Sequence, residues 1–428
     1  MFLSWYSTDA LAAAMPTSLL SFTLISFFLG TSGYAGTFIA QYTGAKRDER
    51  VGPTMWQGIY FSCIGGILVA LTIFIANPLF QFIGHDPNVA DLEKIYWKYL
   101  AIGGFIPIFI GPIAAFFSGR GKTYPVMWAS FAATALNIIL NYLLIFGNYK
   151  FPEMGIAGAG LSTVLSGLLN LLILVTLLFS HQNRVRFHTL SGWRFEKALF
   201  LRLINFGMPS GLQFCLDIAS FSAFVLIIGR LGATELAASS VALNISFLAF
   251  MPMLGMGIAV TILVGQSLGA NKPDMAAKAT RSGLHIASLY MGSISLLYFL
   301  LPGLFIHPFT LKADFADFEM IRPHAELALK FVAIWSLFDA IGIVTSSALK
   351  GAGDTKFILY SVIVVSILVL IIPTYVGIEI LGWGLKSAWC SGVAYVACLS
   401  TIFALRYHHG KWRFMKVIEP DSAPGPLR

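Results

Sequence analysis

The chain has 428 residues, 57% of them hydrophobic and only 11% charged, with a formal net charge of +8 and a mean hydropathy of +0.78. A soluble domain carries about 25% charged residues, so a soluble enzyme or binding module is excluded and a polytopic membrane protein is indicated. Nor does the positive charge point to nucleic acid, because the basic residues are dealt out among loops along the whole chain.

Apolar runs long enough for the roughly 20 residues of a membrane-crossing helix occur at 12–40, 53–80, 95–117, 124–146, 155–180, 203–229, 236–266, 282–304, 324–349, 357–377 and 384–405. They predict an all-α polytopic fold with eleven complete spans. Pro16, Pro107, Pro112, Pro209, Pro252 and Pro373 fall inside these runs. Such residues would break soluble helices, but membrane helices tolerate them because neighbours and waters re-satisfy the freed backbone groups. The opening "MFLSWYSTDA" has neither the basic start nor the full apolar stretch of a cleavable signal peptide. Cys63, Cys215, Cys390 and Cys398 all sit inside apolar runs without CxxC spacing, and read as small hydrophobes.

Charge placement gives the topology. One alternate set of loops, with the C-terminal tail, holds 20 of the 28 basic residues, among them Lys46, Arg47, Arg50, Arg120, Arg184, Arg186, Lys350 and Arg406. By the positive-inside rule that set faces the cytoplasm, so the C-terminus is expected there. The final "EPDSAPGPLR" is expected to be disordered.

The chain also repeats itself. Shifted by 225 positions, "LAAAMPTSLLSFTLISFFLGTSGYAGTFIAQYTGA" (11–45) lies over "LAASSVALNISFLAFMPMLGMGIAVTILVGQSLGA" (236–270), with "LAA" and Q-x-x-G-A in register at the two ends. A second echo pairs "GRGKT" (119–123) with "GAGDT" (351–355). Both copies meet the same kind of basic loop, so the halves are expected to be parallel repeats. The organisation expected is a first lobe over 1–181, a cytoplasmic linker over 182–202, a second lobe over 203–407 and a tail over 408–428. The same offset places a counterpart of the 203–229 helix almost wholly before Met1, so two six-helix lobes with the first helix largely missing, through a truncated or misassigned start, are expected.

Two residues carry the functional signal. Asp217, in "SGLQFCLDIASFSAFVLIIG", is the one normally charged side chain among the residues between Arg202 and Arg230. Asp339 is alone in "FVAIWSLFDAIGIVTSSAL", between Lys330 and Lys350. A charged carboxylate at the centre of a spanning helix costs roughly 2.5–3.5 kcal/mol on insertion scales, and such residues mark ion paths by default. An acid in that position can take up a proton or a cation and exchange them as its surroundings change, which is what an ion-coupled transporter requires.

Other polar and aromatic positions are secondary. Asn137 and Asn141 share a helix face at i and i+4, and either bond neighbouring helices or touch a ligand. Gln213 and Asn244 are further candidate polar contacts of a cavity. Gln41 and Gln266, at repeat-related span ends, read as helix-end contacts. Phe247, Phe250 and Met253, in "SFLAFMPMLGM", are candidate lining residues for flat cations, through ring faces and polarizable sulfur. Glu326 and Lys330 are spaced for a local ion pair. The outer-loop acids Asp86, Asp91, Glu93, Asp314, Asp317 and Glu319 follow from keeping basic residues inside. "GKT" at 121–123 lacks the upstream glycine of a phosphate-binding loop, "SALK" at 347–350 lacks the companion motifs of a serine acyl enzyme, and His408 and His409 have no neighbouring metal ligands in sequence.

Taken together, "LAA" opening the second span, "AQYTGA" and "GQSLGA", "NIILNYLLIFG" with "MGIAGAGLSTVLS", and "LKGAGDTK" make the chain resemble the multidrug and toxic compound extrusion (MATE) transporters over essentially its whole length. The resemblance implies twelve helices in two six-helix lobes around a central cavity, exporting organic cations and other drugs in exchange for Na⁺ or H⁺. The chain is similar to the NorM-like subgroup in particular. There Asp217 stands where an acid, usually Glu, is found in the seventh helix, and Asp339 matches an Asp of the tenth, while Asn141 occupies a place where the DinF-like subgroup tends to carry Asp. The acid of the family's first helix would fall upstream of Met1.

The function expected is therefore a secondary antiporter for amphipathic or cationic drugs, coupled at Asp217 and Asp339, with Na⁺ or H⁺ as coupling ion and no further cofactor or metal. The expected setting is a monomer in the bacterial cytoplasmic membrane, in contact with lipid and small-molecule substrates and not with nucleic acid. The alternative is a lipid-linked precursor or metabolite exporter of the same wider superfamily, which would want a basic cavity. A membrane-embedded enzyme would need converging His, Cys or acids. A channel would need a filter-like loop or a ring of charge, and no such pattern appears in the sequence.

Overall fold

A backbone crossing hydrocarbon has no water to bond to, so each apolar run must close its hydrogen bonds within itself and becomes a helix. In the computed structural model, which describes residues 2–83, 86–310 and 315–420, every regular element is helical. Among these residues eleven helices are long and apolar enough to cross a membrane, as the run lengths predict. They are α1 Thr8–Gly44, α2 Asp48–Gln81, α3 Pro87–Ser118, α4 Tyr124–Phe146, α5 Gly155–Leu178, α6 Lys197–Leu231, α7 Ala233–Gly269, α8 Pro273–Leu300, α9 Met320–Ala352, α10 Thr355–Ile380 and α11 Gly384–His408. Residues 421–428, most of the segment expected to be disordered, lie outside the described residues.

Local chemistry sets the ends of these helices. Ser7 accepts a bond from the Ala10 amide at 3.4 Å and caps α1, and Asp86, followed by Pro87, accepts from the Asn88 amide at 3.0 Å and starts α3. Gly147, at φ 69°, terminates α4 in the left-handed region that glycine enters without strain. The repeat is visible in the helix bounds: both ends of α7 are those of α1 moved by 225 positions, and α8 begins 225 after α2.

The chain divides into two compact units, Met1–Cys215 and Leu216–Arg428, with the boundary inside α6. The segment 182–202, expected as a linker, packs on the first unit. There Trp56 Nε1 donates to Thr189 O at 2.8 Å, Arg186 pairs with Asp48 at 2.7 Å and Arg50 with Glu196 at 2.9 Å. Arg120 stacks over Phe116 and Phe187, 3.9 and 4.2 Å from the ring centroids, and bonds Asn183. Burial among those rings, with Arg186 nearby, lowers its guanidinium pKa to about 10.

Two local expectations are corrected. Glu326 pairs with Arg322 at 3.0 Å, one turn before it, and Lys330 is exposed; the guanidinium fork matches a carboxylate better than an ammonium does. Glu93, expected among the outer-loop acids, lies within α3 and is fully buried on the face that also carries buried Tyr96 and Trp97. In the second acidic loop Asp314 lies outside the described residues, and the side chains of Asp317 and Glu319 are not described.

The core of the second unit is built around Phe224, Met253, Trp335 and Trp389, all buried. α9 and α11 come close enough that a Cβ on Gly342 would stand 2.4 Å from Ser400 Oγ. That serine donates to the Phe338 carbonyl at 2.8 Å, so the contact fixes α11 against the turn of α9 that carries Asp339. Gly342→Val is expected to pry the helices apart and destabilise the unit by about 1–3 kcal/mol. Thermal melting in detergent checks it, and an unchanged Tm would show that the contact bears no strain.

Candidate functional site

Asp217 and Asp339 meet in the second unit because of the aromatic residues one turn away from each. Phe221 follows Asp217 by four residues on α6, and Trp335 precedes Asp339 by four on α9; their rings pack edge to face with centroids 5.7 Å apart. Successive spans alternate in direction, so both acids lie one turn, about 6 Å, to the same side of this ring pair. The two carboxyl groups are within electrostatic reach of each other. Each side chain is half-buried rather than sealed.

Behind the rings the cluster continues. Trp389 of α11 packs on Trp335 at 5.8 Å and on Phe224 at 5.9 Å, and Tyr395 packs on Phe221 at 6.4 Å. The aromatic cluster thus closes one side of the acid pair. Tyr395 is buried, and its hydroxyl lies within electrostatic reach of both Asp217 and Asp339. It accepts a hydrogen bond from Ser366 Oγ at 3.4 Å. Ser366 opens a π-helical stretch, Ser366–Ile371, within α10, and such widened turns are frequent at functional sites.

A positive charge completes the electrostatics. Lys350 follows Asp339 by eleven residues, three turns with an angular offset of only about 20°, so both project from one face of α9. Its ammonium is within electrostatic reach of Asp217. Charge counting along the sequence assigned Lys350 to a cytoplasmic loop; in the structure it belongs to the last turns of α9, half-buried. The site therefore holds two acids, with a phenol and a serine hydroxyl beside them and a lysine about 16 Å further along α9. It can bind a small cation or a proton and respond to its loss.

The remaining candidates lie elsewhere. In the first unit Asn141 Nδ2 donates to Asn137 Oδ1 at 2.9 Å, and Asn137 Nδ2 donates to Ser166 Oγ of α5 at 3.2 Å. Asn141 also lines a cavity of about 660 Å³ together with Phe22, Tyr96 and Thr163, so the pair joins helices while Asn141 alone faces a chamber. Gln213 is buried on the first-unit part of α6, and Gln41 is buried near the end of α1. Asn244 is exposed and bonds back to the Ser240 carbonyl at 2.8 Å. Phe247 is 60% exposed whereas Met253 is fully buried, so the two do not share one lining surface. The Phe247 and Phe250 rings touch at 6.2 Å.

Sequence reasoning missed Tyr395, Ser366 and Lys350. The i, i+11 register of Asp339 and Lys350 was a usable signal for the lysine. Nothing in the pattern distinguished the two hydroxyls.

The chain matches the MatE family model over residues 1–143 and 209–376. It is 29% identical over 356 residues to the multidrug resistance protein NorM of Burkholderia vietnamiensis, covering 81% of this chain and 75% of that protein. A NorM relative from Thermotoga maritima is 26% identical over 429 residues, covering 97% and 88%. Among solved structures, an outward-facing multidrug resistance MATE transporter superposes with a TM-score of 0.86 at 21% identity, over 95% of this chain and 89% of that one. A eukaryotic MATE transporter gives 0.84 at 20% identity, over 96% and 90%.

Proposed function

The chain belongs to the MatE family, and on that premise we propose that it is a multidrug efflux transporter working as a cation-coupled antiporter. Na⁺ or H⁺ enters the second unit at Asp217 and Asp339, and its occupancy biases the conformational change that exports an amphipathic or cationic small molecule. The observation that carries this reading is the packing of Phe221 on Trp335, each one turn from an acid, which sets two half-buried acids of different spanning helices to the same side of one ring pair. A pair of acids so placed is retained against its insertion cost when a mobile cation visits it. The alternation of basic loops supports a cytoplasmic C-terminus, and the bacterial NorM relatives support a bacterial cytoplasmic membrane, with the protein acting as a monomer.

Dye efflux from vesicles containing the full-length protein, with Na⁺ and pH gradients imposed separately, tests the proposal. Ethidium is expected to leave faster when one of the two gradients is applied and at the leak rate when neither is. Indifference to both gradients would remove antiport from consideration.

A further inference from the structure

The coupling site carries two acids, yet its most enclosed polar groups are neutral. Tyr395 is only 3% exposed, and a buried phenol requires hydrogen-bond partners. Ser366 supplies one of them as donor, at 3.4 Å. A phenolic oxygen can accept and donate at once, so the serine bond leaves Tyr395 its own O–H and a remaining lone pair. Phe221, one turn from Asp217, packs on the Tyr395 ring, and the carboxylates of Asp217 on α6 and Asp339 on α9 are within electrostatic reach of its oxygen. Lys350, further along the same face of α9, is within electrostatic reach of Asp217.

The hydroxyl is also held in place. Phe221 packs against the Tyr395 ring, and the same Phe221 packs on Trp335, so one aromatic contact ties the tyrosine to the two helices bearing the acids. On the far side, the π-helical turn beginning at Ser366 widens α10 and presents the serine hydroxyl. A proton would need only one carboxylate. A desolvated metal cation needs several oxygens around it, and hard cations take carboxylate and neutral oxygens together.

We propose that the Tyr395 hydroxyl, held by Ser366, is a neutral oxygen ligand of the coupling cation between Asp217 and Asp339, and that it fits the site to an alkali cation such as Na⁺. The proposal rests on reading Asp217 and Asp339 as the coupling site. In it the Tyr395 lone pair meets the cation while its O–H donates to a carboxylate. Ser366 is a positioning residue.

The test uses purified full-length protein, with Na⁺ binding followed by radiolabelled ²²Na⁺ and Na⁺-driven ethidium efflux followed in proteoliposomes. Tyr395→Phe keeps the ring and removes one oxygen. It is expected to raise the half-saturating Na⁺ concentration about tenfold in both assays, with the maximal rate and the Tm retained. Ser366→Ala is expected to raise it less, about threefold. A purely structural role would lower Tm and leave the half-saturating concentration alone. Tyr395→Phe within twofold of wild type would overturn the ligand assignment, as would wild-type protein that binds no Na⁺ and responds only to a proton gradient. Asp339→Asn distinguishes the two levels: if it abolishes Na⁺ binding while Tyr395→Phe stays within twofold of wild type, the tyrosine assignment alone fails. Were Asp339→Asn to bind Na⁺ normally, the coupling site itself would be misplaced.

Discussion

Asp217→Asn and Asp339→Asn are each expected to abolish gradient-driven efflux, by about 100-fold or more, while leaving the protein folded. A carboxylate and a cation 4 Å apart attract by about 4 kcal/mol at an effective dielectric near 20, which is close to three orders of magnitude in affinity. Asparagine keeps the shape and removes the charge. Both side chains are half-buried and remain able to hydrogen-bond as amides, so melting temperature and elution from a sizing column should stay at wild-type values. Full transport in either variant would refute the assignment. Loss of transport together with loss of folding would be answered by the milder Asp217→Glu, which restores the charge one methylene further out and should recover gradient-dependent efflux.

What the sequence disclosed of this site follows from what a membrane makes expensive. An acid deep in an apolar run has a cost large enough to stand out, and both Asp217 and Asp339 did. The repeat was legible for the same kind of reason: the small and polar residues ending α1 and α7 recur in register, and the helix bounds repeat at the same offset. Hydroxyls are different. Ser222 bonds the Ile218 carbonyl at 2.8 Å, Thr280 the Ala276 carbonyl at 2.9 Å and Thr345 the Ile341 carbonyl at 2.7 Å. Each returns its donor to its own helix, so a hydroxyl costs little anywhere in a span. Ser366 and Tyr395 were hidden in that background. Glu93 was misread because its place beside a loop outweighed the helical period that puts it with Tyr96 and Trp97.

The aromatic packing explains why a pattern of single residues becomes a site. Phe221 and Trp335 are each one turn from an acid, and their contact sets the mutual register of α6 and α9. Trp389 and Tyr395 then bring α11 to the same place, and the close approach at Gly342 holds α11 against α9. Large rings thus set the register and polar atoms occupy the gap beside them. Substitutions that shift the rings should disturb cation binding without touching an ionisable group.

Lys350→Gln is expected to act in the opposite direction from the acid substitutions, tightening the site for its cation. With the lysine present, its ammonium is within reach of Asp217 and competes with an incoming cation for that carboxylate. Two unit charges 10 Å apart at an effective dielectric near 20 interact by about 1.7 kcal/mol, somewhat more than a tenfold change in affinity. Glutamine retains part of the stem and deletes the charge. The half-saturating concentration of the driving cation should therefore fall about tenfold, while the maximal efflux rate falls as well because the bound ion leaves more slowly. Lys350→Arg, which keeps the charge, should behave nearly as wild type. Initial efflux rates measured across a series of imposed cation gradients separate the two parameters. A variant whose half-saturation rose, with the rate unchanged, would mean that Lys350 supports the acid pair by holding α9 in place, and that its charge does not compete with the transported cation.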